Sequence, residues 1–437
     1  MNIVRKKEVI VLFLGDVFVF FISLYLAITL RYGSLPTADV LSNHLAPFSL
    51  LFLASILISF IAGLYEKHTL VLKGKLPAVL TKVQIANSVV SIAFFYFIPY
   101  FLITPKITLF MYLVISLILM VAWRMAIAET LGVRRKSKAL LIAKRGKEVE
   151  DLYNEINNNQ RHGIVFIEWI EPGTMPVIDK DISLIVADFA DPRVNELMPT
   201  LYKLIFSGVQ FDDIQKVYEE VFDRVPLSLI NDTWFLENVS SSAKTSFDIF
   251  KRLMDIVLST VGGIVSLLFY PFVYIAIKID DGGPLFITQE RIGKNNKIIR
   301  IKKFRTMTAN DHGRFDASKN RETRVGRFIR KTRIDELPQI WNVFRGDVSV
   351  IGPRPELPYL VEVYRQNISY YDMRHLIKPG LTGWAQIYGR HAHHGVGTEE
   401  TVDKLSNDLY YIKNRSIFLD IKIALQTFKV LLSFVGR

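Results

Sequence analysis

A chain of 437 residues has room for two or three domains, and 50% hydrophobic content with a mean hydropathy of +0.25 is too apolar for an ordinary soluble protein of that size. The net charge of +12 must concentrate in the polar segments, which are expected to meet anions; neighbouring apolar stretches favour lipid headgroups and phosphorylated substrates over nucleic acid. The absence of cysteine excludes disulfides, thiolate metal sites and cysteine nucleophiles.

Four segments reach the roughly 20 apolar residues that crossing a bilayer requires: Val9 to Leu30, Ala46 to Tyr65, Ala86 to Pro105 and Ile107 to Ile127. Each reads as a transmembrane helix, and together they make a four-helix domain over residues 1–130. Asp16 in the first is expensive in hydrocarbon, so it is expected to face other helices. No signal-peptide cleavage pattern precedes that helix, which is expected to be retained. Lys and Arg accumulate in cytoplasmic loops. Arg5, Lys6 and Lys7 precede the first helix, Lys67, Lys73, Lys75 and Lys82 follow the second, and Arg134, Arg135, Lys136 and Lys138 follow the fourth. The two opposite loops are nearly uncharged, so both ends of the four-helix domain are expected on the cytoplasmic side.

From Ala139 short apolar runs alternate with polar helical stretches. Ala139 to Ala143, Gly163 to Ile170 and Ile182 to Ala190 read as strands, Lys147 to Asn158 and Asn195 to Ser207 as helices. This is the βαβ rhythm of a small doubly wound domain over residues 131–240. A dinucleotide site would need a glycine-rich turn after the first strand, whereas Ala143-Lys144-Arg145-Gly146-Lys147 has one glycine and three cations. The domain therefore reads as a degenerate Rossmann-like, nucleotide-type fold, a scaffold rather than a site for a regulatory ligand on Lys144, Arg145 and Lys147.

A long apolar run returns at Leu253 to Ile279, with Lys251-Arg252 before it and a strongly basic region after it. As a fifth spanning helix it would carry Arg291, Lys294, Lys297, Arg300, Lys302, Lys303 and Arg305 to the wrong side for their charge. A re-entrant helix over residues 251–279, entering and leaving on the cytoplasmic side, resolves the conflict. Of the available breakers, Gly262-Gly263 and Pro271, the proline is the stronger, because it loses an N–H and clashes with the preceding turn. Ser266 is a candidate partner for the backbone carbonyls so freed.

The densest polar stretch is Arg324 to Pro355. Asp335-Glu336 precedes Leu337-Pro338-Gln339 and an apolar-periodic run, which puts Pro338 in the first turn of a helix and the two carboxylates at its N-terminus. Arg324, Arg327, Arg330, Lys331 and Arg333 lead into that pair; guanidinium groups grip phosphate oxygens in bidentate fashion, which suits a pyrophosphate. Gly352-Pro353-Arg354-Pro355 presents one arginine stiffly between two prolines. Adjacent carboxylates on one element cannot easily flank a glycosidic bond, which weakens a glycosidase reading. A metal site, a carboxylate nucleophile, and helix capping with surface ion pairs remain, and the first two combine in phosphoryl transfer.

At these residues the sequence closely resembles the bacterial sugar transferase family, the polyprenyl-phosphate hexose-1-phosphate or monotopic phosphoglycosyl transferases. The resemblance runs from about Phe247 to the C-terminus through Lys251-Arg252-Leu253-Met254-Asp255, Gly283-Pro284, Gln289-Glu290-Arg291-Ile292-Gly293, Lys303-Phe304-Arg305-Thr306-Met307, Asp335-Glu336-Leu337-Pro338-Gln339, Asn342-Val343, Gly346-Asp347, Ile351 to Pro355 and Lys378 to Trp384. It implies an α/β monotopic catalytic domain over residues 241–437 and, with the four helices and the nucleotide-type domain, a likeness to large members acting on UDP-glucose or UDP-galactose and undecaprenyl phosphate. The implied reaction is ping-pong: Asp335 attacks the sugar-proximal phosphate, UMP leaves, and the phosphosugar passes to the lipid. Glu336, with Asp335, would bind Mg²⁺. Lys303, Arg305, Arg330, Arg333 and Gly352, Pro353, Arg354 and Pro355 would hold phosphate or nucleotide groups, and Lys251, Arg252, Asp255 and Pro271 would anchor the re-entrant helix. The implied setting is the cytoplasmic face of a bacterial inner membrane, as a homodimer, at the first membrane step of exopolysaccharide, capsule or O-antigen synthesis.

His391-Ala392-His393-His394 departs from that pattern and reads as a solvated loop rather than a metal site. Ile417 to Val435 alternates Lys422, Gln426 and Lys429 with apolar residues at helical spacing, an amphipathic helix for the membrane surface or a core-packing one. The alternative from another class is an inactive membrane scaffold for glycan-assembly enzymes, which would have no need of the Asp335-Glu336 and Gly352 to Pro355 motifs.

Overall fold

The computed structural model describes residues 6–65, 76–98, 106–132, 137–159, 162–174, 181–239, 245–280, 282–308, 321–389 and 397–432. Arg5, Lys67, Lys73, Lys75, Arg134, Arg135, Lys136, His391, His393 and His394 lie outside the described residues. Two compact units make up the chain, Met1–Val221 and Phe222–Arg437.

The first unit opens with four helices, α1 (Lys6–Tyr32), α2 (Ala38–Ile61), α3 (Leu76–Phe97) and α4 (Lys106–Gly132), each long and apolar enough to cross a membrane. The third lies some ten residues earlier than the apolar run alone suggests. It begins at Leu76, taking in Lys82 and Gln84, and ends at Phe97, just before a proline in the sequence that disfavours helix at the residue preceding it; residues 99–105 of the expected span lie outside the described residues. Its Gln84 Nε2 donates to Ser116 Oγ on α4 at 2.9 Å.

Helices in lipid gain little from apolar contact alone and associate through small and polar groups. Ser23, Ser55, Ser59, Asn87, Ser91 and Ser116 are buried inside the bundle, whereas Phe18, Ile85, Phe110 and Ile118 face outward. Gly15 on α1 lets the Trp123 ring of α4 occupy the space a Cβ would need. Next to it Asp16 is fully buried, ion-paired with the buried Arg124 of α4. Arg124 Nε donates to Asp16 Oδ1 at 3.0 Å and Nη1 to the Leu64 carbonyl at 2.9 Å, and the Tyr65 hydroxyl donates to Asp16 Oδ2 at 2.6 Å. The carboxylate thus faces other helices, as its cost in hydrocarbon requires.

The remainder of this unit is an α/β domain. Strands β1 (Ser137–Ile142), β2 (Ile164–Ile170), β3 (Leu184–Ala187) and β4 (Gln210–Asp213) form one parallel sheet in the order β2-β1-β3-β4. β1 and β3 are buried almost throughout, as central parallel strands covered on both faces must be. The helix Lys147–Asn158 falls where its polar-apolar spacing places it. β4 escapes sequence reasoning: Gln-Phe-Asp-Asp has the composition of a turn, and only pairing with β3 along the sheet edge makes it a strand.

In the second unit the apolar run forms two helices, and Phe247–Leu267 and Tyr270–Asp280 meet at a 50° bend. Pro271 stands in the first turn of the second helix, where a missing N–H costs least. Ser266 does bond a carbonyl, that of Gly263 at 2.7 Å, a turn before the break. An antiparallel hairpin of β5 (Phe286–Ile292) and β6 (Ile298–Phe304) follows, then a short parallel pair, β7 (Ser349–Ile351) and β8 (Gly380–Thr382). The core gathers around Trp234, Ile351, Tyr371, Trp384, Leu405 and Leu409.

The C-terminal helix Ile417–Leu432 turns Asp420 and Gln426 inward and leaves Lys429 exposed. Asp420, Ile423 and Gln426 are buried and Lys422 lies 4.9 Å over the Trp384 ring, while Phe418 and Phe428 are exposed. It therefore packs on the core and still presents an apolar outer face.

Candidate active site

The carboxylate pair is placed by three local devices. Helix Arg324–Lys331 is capped by Thr323, whose hydroxyl accepts from the Gly326 N–H at 2.8 Å. Gly326 is required there because a Cβ would run into the Thr306 backbone. Arg333 then takes a left-handed conformation (φ 57°), and the turn Ile334–Glu336 carries Asp335 and Glu336. The following helix begins at Gln339, with Pro338 as its N-cap rather than inside its first turn, so the carboxylates stand just ahead of the helix. Asn342, buried in that helix, ties it to the hairpin: Nδ2 donates to the Arg300 carbonyl at 2.8 Å and Oδ1 accepts from the Lys302 N–H at 3.3 Å. Gly346 ends the helix at φ 89°, a left-handed C-cap that suits glycine.

The hairpin contributes Arg291 and Lys303 to an open cleft shared with Glu336, Gln339, Arg354 and Gly380. Glu336 Oε1 lies 3.3 Å from Arg354 Nη2 and 3.7 Å from Lys303 Nζ. Burial opposes ionisation of Glu336, but the charges of Arg354, Lys303 and Arg333 outweigh it and hold its carboxyl down at about 2. At Asp335 the balance reverses. Burial, and then the Glu336 charge, push it up to about 6 against the weaker pull of Lys303, Arg330 and Arg354. Burial and Arg354 together lower Arg291 to about 10. Two adjacent carboxyls are thus driven apart, one permanently charged and one titrating near neutrality, a pattern of active sites.

Arg354 is held by its main chain. The Pro353 carbonyl accepts from Gly380 N–H at 2.9 Å, the Arg354 carbonyl from Arg374 Nη2 at 3.1 Å, the Pro355 carbonyl from Arg291 Nη1 at 3.3 Å and the Glu356 carbonyl from Ile292 N–H at 2.9 Å. Gly352 donates to Thr382, and a Cβ on it would meet the Lys378 carbonyl oxygen at 2.5 Å. Arg374 is itself buried against Asp408, 2.8 Å away, and the Tyr371 hydroxyl at 2.6 Å. Prolines restrict two φ angles, and these bonds fix the rest of the loop.

The structure brings Asp335, Glu336, Lys303, Arg354 and Pro355 together. Arg330 and Arg333 lie close enough to act on the carboxyls through their charge, although Arg330 Nη1 pairs with Glu322 at 3.3 Å. Arg305 is engaged elsewhere: it is buried, packs against Gly283 and donates to the Met307 carbonyl at 2.8 Å. Gly352 and Pro353 serve through backbone bonds. Lys251, Arg252 and Asp255 fasten the long helix to protein: Lys251 to Asp420 at 2.7 Å, Arg252 to the Val343 and Phe344 carbonyls at 2.8 and 2.7 Å, and Asp255 to Ser349 Oγ and Val350 N–H at 3.0 and 2.9 Å. Sequence reasoning about the site passed over Arg291, Gln339 and Arg374. Arg291 and Gln339 stand inside the matched motifs; Arg374 stands four residues before one, with no signal of its own.

Among the described residues no three His, Asp or Glu side chains gather to hold a metal. A cation would rest on Glu336 and Asp335 and on oxygens brought by a ligand, which suffices for Mg²⁺. Both cationic contacts to Glu336 fall on Oε1, and the carboxylate stays ionised, so the pair fits that role.

A family model described as bacterial sugar transferase matches residues 246–434. A UDP-N-acetylgalactosamine-undecaprenyl-phosphate N-acetylgalactosaminephosphotransferase of Aeromonas hydrophila is 36% identical over 262 residues, 58% of this chain and 59% of that protein. A UDP-glucose:undecaprenyl-phosphate glucose-1-phosphate transferase of Escherichia coli (strain K12) is 41% identical over 198 residues, 43% of this chain and 40% of that one. An uncharacterized sugar transferase, EpsL, of Bacillus subtilis (strain 168) is 39% identical over 188 residues, which cover 42% of this chain and 89% of that shorter protein. The chain thus matches only two-fifths to three-fifths of the length of the first two.

Proposed function

Because the chain belongs to the bacterial sugar transferase family, we propose that it transfers a hexose-1-phosphate from a UDP-sugar to undecaprenyl phosphate or a similar polyprenyl phosphate, releasing UMP. The observation that carries this is the pair Asp335 and Glu336, split to about 6 and about 2, in a cleft lined by Lys303, Arg354 and Arg291. A carboxylate that titrates near neutrality retains nucleophilicity, and three cations offer a seat to a pyrophosphate.

In this mechanism an Asp335 oxygen bonds to the sugar-proximal phosphorus as the bond from phosphorus to the bridging oxygen breaks, and UMP leaves with the electron pair. A phosphate oxygen of the lipid then attacks the same phosphorus and the carboxylate departs. Arg354, Lys303 and Arg291 neutralise the phosphate oxygens throughout, and Glu336 keeps Arg354 and Lys303 oriented. Mg²⁺ bound to Glu336 would neutralise pyrophosphate charge further.

The bent helix pair supports a re-entrant segment, because its exposed faces are apolar while the following hairpin is basic. Together with the Lys and Arg that follow α2 and α4, it supports a catalytic unit on the cytoplasmic face of a bacterial membrane. The parallel sheet supports a Rossmann-like ancestry for the α/β domain, and a homodimer is carried from the likeness to large family members. Named relatives use UDP-glucose or UDP-N-acetylgalactosamine, so the donor is expected among UDP-hexoses.

The test is UMP release by the full chain in detergent, with Mg²⁺, polyprenyl phosphate and a panel of UDP-sugars. Release that requires the lipid establishes the transferase and identifies the sugar; silence across the panel by folded protein favours the scaffold. The same assay has a pH signature. The working form of Asp335 is the carboxylate, and its pKa is raised to about 6. The rate should therefore be flat above neutrality and fall about tenfold per unit as pH drops below 6, while Glu336 stays charged. A rate unchanged down to pH 4.5 would contradict Asp335 as nucleophile.

A further inference from the structure

Gln339 is 6% exposed, lines the cleft, and stands one turn after Glu336. Its Nε2 is buried without a hydrogen-bond partner among the described residues. A buried amide left unbonded destabilises the fold, and native proteins rarely keep such a group without use for it. Met or Leu would fill the same space at no such cost. Glu336, the one carboxylate lining the cleft, has Oε1 taken by Arg354 and Lys303, and the other charged neighbours, Arg291, Lys303 and Arg354, are cations that offer the amide no acceptor. The acceptor is therefore expected to arrive with the ligand that those cations attract.

We propose that Gln339 is a substrate-binding residue whose amide N–H donates to a phosphate oxygen of the diphosphate held by Arg354, Lys303 and Arg291. This rests on the transferase reading and adds to it a neutral donor that places the anion without adding charge.

Gln339→Met keeps the volume and removes the donor, and Gln339→Leu serves as a second variant. The amide's unmet cost has a sign that a structural glutamine would not show. In the empty protein both variants should melt at the same temperature as the parent or about 1–2 °C higher. Binding of inorganic pyrophosphate and of UDP, read by calorimetry on the detergent-solubilised full chain, should weaken about tenfold, as expected for loss of a bond to a charged acceptor. With an active donor sugar, KM should rise by a similar factor and kcat change less. Unweakened binding, or a lowered melting temperature in both variants, overturns the proposal, as does a parent protein that binds neither anion. A parent that binds pyrophosphate through Gln339 yet releases no UMP would retain this inference and sink the transferase instead.

Discussion

Asp335→Asn is expected to lower UMP release by about 10⁴-fold or more, the scale on which loss of a nucleophile is felt in other covalent enzymes. The amide has the carboxylate's shape but no electron pair able to attack phosphorus at neutral pH. The fold should tolerate it. Burial and the Glu336 charge already disfavour the ionised carboxyl, so a neutral isostere removes a cost instead of adding one. A second measurement separates nucleophile from bystander. With labelled UDP-sugar and no lipid acceptor, the parent should retain label covalently after denaturation and the variant none. Residual release within tenfold of the parent would mean that the lipid phosphate attacks directly and that no aspartyl intermediate forms.

The other large effect is expected inside the four-helix bundle. Asp16→Ala leaves Arg124 fully buried without its counter-charge, although the Leu64 carbonyl still bonds it. Removing one partner of a buried ion pair typically costs about 3–5 kcal/mol, whereas replacing both by apolar groups is often neutral. Asp16→Ala should therefore reduce the fraction of protein that survives heating as a monodisperse species, and Asp16→Leu combined with Arg124→Met should restore most of it. Failure of the double variant to recover would give the pair a role beyond packing α1 against α4.

These two sites differ in how far they can be read from the sequence. Asp335-Glu336 stands out as two carboxylates ahead of a proline and amid arginines, but the residues alone left helix capping with surface ion pairs open, and it was the family resemblance that pointed to a catalytic pair. Asp16 could be placed in a bundle interior but not paired, since Arg124 is 108 residues away and sits in a helix with its own apolar run. The same limit explains Arg305, which looks like a phosphate ligand beside Lys303 but points along the strand end into Gly283. Periodicity tells which face a strand residue takes, not whether a glycine elsewhere opens a pocket for it. Gln339 was hidden differently: it was legible as a helix start, and only the missing partner of its buried Nε2 among the described residues distinguishes it. Element positions were most legible where apolar length or alternation was strong, as in α1, α4 and Lys147–Asn158, and least where a proline or an edge pairing decided, as in α3 and β4.

The exposed Phe418 and Phe428 of Ile417–Leu432 match the outer faces of the bent helix pair, where Leu268, Phe272 and Ile279 are exposed. A shortened chain lacking α1 to α4 would thus still carry greasy surface on two separate helical elements. Such a fragment should pellet or clump in plain buffer, so trimming the spanning helices is no route to a freely soluble enzyme, and expression trials are better directed at surfactant or nanodisc conditions from the start.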